Sequence, residues 1–96
     1  MDYQEFTASL ERDTPPNLDQ PLLLALWHDA RGDWERAHDI AQDIDNRNGA
    51  WVHAYLHRVE GDNWNANYWY RRAGRAMPDQ SLREEWEHLV RALLPR

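Results

Sequence analysis

Cysteine is absent from the 96 residues. That excludes disulfides, thiolate metal sites and cysteine nucleophiles. Lysine is absent too: all eleven basic residues are Arg, against seventeen Asp and Glu, and the net charge is −6. This balance argues against a general nucleic-acid binder, which needs a basic face. Long apolar runs are missing. The longest, Leu22 to Trp27, falls far short of a membrane span. The first residues (Met1, Asp2, Tyr3, Gln4, Glu5) are acidic and lack the basic start and apolar stretch of a signal peptide. The expectation is therefore a soluble cytoplasmic protein with no membrane partner. Serine occurs only at Ser9 and Ser81, neither in a recognisable nucleophile motif. Ile and Val are scarce, and no segment alternates with the period of a strand.

Aromatics are plentiful: six Trp, four Tyr and one Phe. Each can bury about 150–250 Å², so even a single short domain can build a compact core. Apolar spacing and punctuation predict an all-α chain of five or six helices. A helix is expected over 2–13, broken by Thr14, Pro15, Pro16 and Asn17. Further helices are expected over 19–31, 33–46, 50–60 and 62–76, with Asn46 to Gly49 as a turn and Pro78 as a stop. Ser81 and Glu84 form a capping box ahead of a last helix carrying Leu82, Trp86, Leu89, Val90 and Leu93.

The middle of the chain repeats itself. A shift of 29 residues carries Ala25, His28, Gly32, Asp33 and Ala37 onto Ala54, His57, Gly61, Asp62 and Ala66. Each unit reads helix, Gly-Asp turn, helix: Gly takes the left-handed conformation and Asp caps the next helix. This divides the chain into 1–18, an N-terminal helix and linker; 19–47 and 48–78, two hairpins; and 79–96, a capping helix.

The run Gly61-Asp62, Ala66, Tyr70, Ala73 and Pro78 resembles the second half of a tetratricopeptide repeat. The first unit keeps Gly32, Asp33, Trp34 and Ala37 but has Ala41 and Gly49 at the family's aromatic and proline positions. The period of 29 is shorter than the family's 34. The resemblance covers 19–78 and implies two stacked hairpins with terminal caps, the first helix of each lining a concave surface. Trp51 to Arg72 also looks like a stretch of a group of small bacterial proteins of unassigned function.

Residues 50–60 are apolar nearly all round, which predicts a central helix covered on several sides. At 100° per residue, Trp51, Tyr55 and Arg58 share one side, and His53, His57 and Glu60 the other. Under the repeat resemblance, Leu22, Leu26 and Asp29 stand beside Trp51, Tyr55 and Arg58. Together they offer aromatic anchors and an Arg fork for a protein partner. The plainer alternative is that a terminal helix covers this strip and makes it core.

The opposite side offers a second function, that of a small metal-binding protein or metal-dependent enzyme. His at i and i+4 with Glu at i+7 places three candidate metal ligands (His53, His57 and Glu60) on one face, with His28 or His38 to complete the set. A packed, hydrogen-bonded role for the same histidines needs no metal, and no cofactor is expected. Tyr68, Trp69, Tyr70, Arg71, Arg72 and Arg75 interleave aromatics with Arg, as single-strand binders do. The helical period, however, puts Trp69, Tyr70 and Ala73 inward and the Arg residues outward. Charge is also segregated: residues 1–46 carry −8, 47–75 carry +3 and 76–96 carry −1. Opposed charges of this kind favour acidic partners or a second copy of the chain. With only two hairpins to share eleven aromatics, some of Trp51, Tyr55, Trp64 and Tyr68 are expected at the surface. The N-terminal helix, set off by Pro15 and Pro16, is expected to pack less well than the last.

Overall fold

The computed structural model describes residues 1–95, which form six α-helices and no strand. They are α1 (Tyr3–Ser9), α2 (Pro21–Ala30), α3 (Trp34–Gln42), α4 (Arg47–Val59), α5 (Asn63–Arg72) and α6 (Leu82–Leu93). The all-α reading with five or six helices holds.

The two hairpins are α2–α3 and α4–α5, and their turns share one geometry. Gly32 and Gly61 have φ of 87° and 83°. The amide of Asp33 donates to the His28 carbonyl, and that of Asp62 to the His57 carbonyl, each at 2.9 Å. These bonds span five residues back and close the helix end. The same aspartates then cap the next helix, Asp33 accepting from the Arg36 amide and Asp62 from the Asn65 amide. A third turn of this kind ends α5 at Gly74, φ 73°, where Arg75 N–H reaches the Tyr70 carbonyl. The sequence placed that stop at Pro78, but the backbone leaves the helix before reaching it.

α4 begins three residues earlier than expected. Asn46 is its N-cap and accepts from the Gly49 amide at 2.8 Å, so Arg47, Asn48 and Gly49 form the first helical turn and not a loop. Gly49 is required by proximity: a Cβ there would lie 2.0 Å from the Ile44 carbonyl oxygen. α3 stops at Gln42, short of the expected 46, because the chain must turn back toward α4.

α4 is the centre of the molecule. It packs against α2, α3, α5 and α6, and nine consecutive residues from Gly49 to His57 are buried. α6 closes the open side of both hairpins. Trp86 sends its indole N–H to the Leu26 carbonyl of α2 at 3.1 Å, while Leu89 and Val90 are fully buried.

α1 packs less extensively than α6, as expected, with two buried residues against five, yet it is not loose. α1 is shorter than 2–13, but Phe6 and Ser9 are buried. Trp27 donates to Ser9 Oγ at 3.2 Å and Arg31 to the Leu10 carbonyl at 2.6 Å. The Tyr3 and Phe6 rings meet Trp86 at 6.3 and 6.0 Å. The two prolines break the helix without releasing it, because polar and aromatic contacts hold it on both sides.

The two kinds of glycine separate by mutation. Gly61→Ala strains a left-handed residue with open space around it and is expected to cost about 1 kcal/mol. Gly49→Ala forces backbone apart and is expected to cost about 2–3 kcal/mol. Urea unfolding of the two variants measures both, and equal costs would contradict the close approach at Gly49.

Candidate functional site

The proposed partner strip is interior. Leu22, Leu26, Trp51 and Tyr55 are 1%, 0%, 3% and 4% exposed, because α6 lies across them. The chemistry of the cover is specific. Glu85 of α6 is buried and receives the Trp51 indole N–H at 3.3 Å, an Arg58 N–H at 2.9 Å and the Tyr70 hydroxyl at 2.6 Å. Arg58 also donates to the Gln80 carbonyl. Arg75 completes the cover with its guanidinium 3.4 Å from the Trp51 ring centroid. Arg58 is thus a clamp on the capping helix, and the strip of Leu22, Leu26, Asp29, Trp51, Tyr55 and Arg58 is not an open groove. Its Asp29–Tyr55 edge borders a cleft of ≈ 390 Å³ shared with Arg83 and Trp86, and Arg58 is partly exposed.

The opposite side of α4 carries a histidine cluster. His38 from α3 joins His53 and His57, with one ligand atom of each within 4.8 Å of the others. The His38 and His53 Nε2 atoms are 3.0 Å apart, so one carries the proton that bonds the other. His57 Nδ1 is 2.7 Å from Glu60 Oε1. Trp34 stacks on His38 at 4.8 Å and Trp69 on His53 at 4.0 Å, so two indoles bracket the group. Trp34 is itself anchored by its N–H to the Leu56 carbonyl at 2.7 Å. On the side toward the start of α4, His53 and Trp69 border a cleft of ≈ 280 Å³ whose lining includes Arg47 and Arg72.

The donor set expected from sequence is corrected in one member. His53, His57 and Glu60 do not form one group, because Glu60 is the C-cap of α4 and its carboxylate reaches back only to His57. His38 takes the third place, and His28, on α2, stays outside the group, edge-on to Trp27. Glu60 also falls in a second group with His57 and Asp62, but Asp62 is occupied as the cap of α5, bonded to the Asn65 amide and side chain. The 29-residue repeat gave no sign of His38, since its equivalent is Asn67. The signal that could have found it is Trp34 four residues earlier, one turn along the same face of α3.

Of the four aromatics considered for the surface, Trp51 and Tyr55 are buried, whereas Trp64 is 75% and Tyr68 39% exposed. They lie one turn apart on α5, followed on the same side by Arg71 and Arg72, both exposed. Arg72 sits 5.9 Å from the Tyr68 ring centroid and 5.3 Å from that of Trp69. Tyr70 and Ala73 face inward, as the periodicity required, and Trp69 is half-buried against His53.

Burial sets two opposing titrations. It raises Asp29 from 3.8 to about 6, partly offset by the Tyr55 hydroxyl. It lowers His53 from 6.5 to about 4, helped by the neighbouring His38 and His57. Asp29 holds its proton in the folded state longer than in the unfolded chain, so its contribution to stability falls as pH rises from about 4 to 6. His53 resists protonation when folded, so its contribution rises over about pH 4 to 6.5.

Comparison with known proteins assigns nothing: no family model, no curated protein and no solved structure matches the chain.

Two measurements check this arrangement. Glu85→Ala is expected to cost about 3–5 kcal/mol in urea unfolding, because it strands the Arg58 charge; a loss under about 1 kcal/mol would mean that Glu85 does not hold the cover. Asp29→Asn is expected to gain stability relative to the parent as pH rises from 4 to 6, and a difference that stays flat across that range would remove the buried carboxyl.

Proposed function

We propose that the protein works by contact, as a protein-interaction module with no catalysis of its own, on a scaffold of two stacked tetratricopeptide-like hairpins. The contacting surface is the outer face of α5: Trp64, Tyr68, Arg71 and Arg72. One observation carries the reading. A Trp that is 75% exposed stands one turn from an exposed Tyr and two turns from a pair of exposed Arg. Trp, Tyr and Arg are the residue types that dominate binding energy at protein interfaces. The contact surface is therefore not the α2–α4 strip, which α6 fills, but an α5 face that no other helix among the described residues covers.

Charge supports an acidic protein as the partner. Residues 47–75 carry +3, and no carboxylate pairs with Arg71 or Arg72 among the described residues. The chain itself offers an acidic face in residues 1–46, at −8, so a second copy is a partner of the required kind. No helix among the described residues is long and apolar enough to cross a membrane, and the module is proposed to act in the cytoplasm of a bacterial cell.

Sedimentation velocity at tens of micromolar protein tests the self-contact. The parent is expected to exceed monomer mass at low salt and to dissociate at high salt, because screening weakens the charge term. Trp64→Ala, at an exposed site that costs the fold little, is expected to be monomeric at both. A strict monomer at low salt overturns the self-contact.

A further inference from the structure

The histidine cluster on the inner side of α3 and α4 has a geometry that packing alone does not require. Three imidazoles from two helices converge, and two of their Nε2 atoms stand 3.0 Å apart. Nitrogens on a tetrahedral zinc, at 2.0–2.1 Å from the ion, are separated by about 3.3 Å. The His38–His53 separation is close to that spacing, and His57 supplies a third nitrogen within 4.8 Å.

His57 has the supporting shell of a metal ligand. Its Nδ1 is committed to Glu60 at 2.7 Å, which leaves Nε2 as its ligating nitrogen. A carboxylate behind a ligating histidine fixes its tautomer and increases its basicity. The rings of the other two ligands are held by stacking, His38 on Trp34 and His53 on Trp69. Stacking thus holds His38 and His53 near the ion position, while the His57 ring, stacked on His53 at 4.8 Å and 26°, turns about its side-chain bonds to bring its nitrogen onto the ion. The ≈ 280 Å³ cleft reaches the cluster at His53, the one of the three histidines that lines it.

We propose that His38, His53 and His57 form a binding site for one tetrahedral divalent cation of the zinc class, with Glu60 as the outer carboxylate and the fourth position left to water. The donor chemistry selects the class. Three neutral imidazoles suit zinc, copper or nickel, whereas calcium and magnesium demand oxygen ligands. A tetrahedral arrangement of three histidines and one water favours zinc within that class. This site lies on the Trp69 side of α5, away from Trp64, and its test is separate from that of the contact surface, although Arg72 borders both.

The test uses the full chain without a histidine tag, stripped with chelator and titrated with zinc chloride. Calorimetry is expected to give one zinc per chain with a dissociation constant below about 1 µM. Imidazole ¹⁵N spectra are expected to move His38, His53 and His57 and to leave His28 and His88 in place. Glu60→Gln, at the exposed end of α4, is expected to weaken binding by about 10–100-fold with an unchanged helical spectrum. His38→Gln is expected to abolish the one-to-one phase. Absence of saturable binding by about 100 µM zinc, equal perturbation of His28 or His88, or full affinity in Glu60→Gln would overturn the site.

Discussion

The Glu85 carboxylate is the constraint on which the rest of the molecule depends. It is 1% exposed and receives bonds from three residues on two other helices: Trp51 and Arg58 of α4 and Tyr70 of α5. A carboxylate taken out of water is costly unless its lone pairs are filled and its charge is met. Here both conditions hold, and they hold only when α4, α5 and α6 are all in place. The pull on Tyr70 shows the coupling from the other end: burial, together with its bond to Glu85, pushes its hydroxyl well above the usual tyrosine range. A network of this kind specifies one arrangement of three helices where an apolar interface would tolerate several.

This hub also fixes what the two sides of α4 can do. The Glu85 side is consumed by architecture, since the Trp51 indole N–H and both terminal nitrogens of Arg58 are turned toward α6 or the loop before it. The histidine side is governed by aromatic stacking and one shared proton, and it retains an approach from solvent. A helix buried all round thus divides its work: one face carries the load of assembly and the other keeps nitrogen lone pairs in reserve. The exposed aromatics belong to α5, whose inner residues Ala66 and Tyr70 secure it and whose outer Trp64 and Tyr68 stand exposed.

The fold was largely legible in the chain. Gly32-Asp33 and Gly61-Asp62 announced the hairpins because a left-handed residue followed by a cap has few other uses, and Ser81 with Glu84 marked the last helix for a similar local reason. What escaped was set by contacts distant in sequence. Gly49 looks like a turn residue until Ile44 is seen against it. Phe6 and Ser9 look peripheral until Trp27 and Trp86 are placed beside them. The site divided along the same line. His53 and His57 were recognisable by their spacing on one helix. A helical wheel sets Glu60 beside both, because it does not show that a C-cap side chain turns back on its own last turn. His38 was weighed only as an extra ligand because helix-to-helix register is not written in any local pattern. The strip of Trp51, Tyr55 and Arg58 was grouped correctly as one face, but periodicity cannot say whether a neighbour covers that face.

The packing of α1 against α6 has a consequence for the order in which the chain assembles. Tyr3 meets Trp86, and the Arg91 guanidinium lies 4.1 Å from the Tyr3 ring centroid, so residues more than eighty positions apart share one seam. Each hairpin closes a loop of a few residues, whereas this seam closes almost the whole described chain. The entropy of loop closure grows with the length enclosed, and contacts of such long range slow folding. The molecule is therefore a pair of locally folding clasps joined by a seam that closes late.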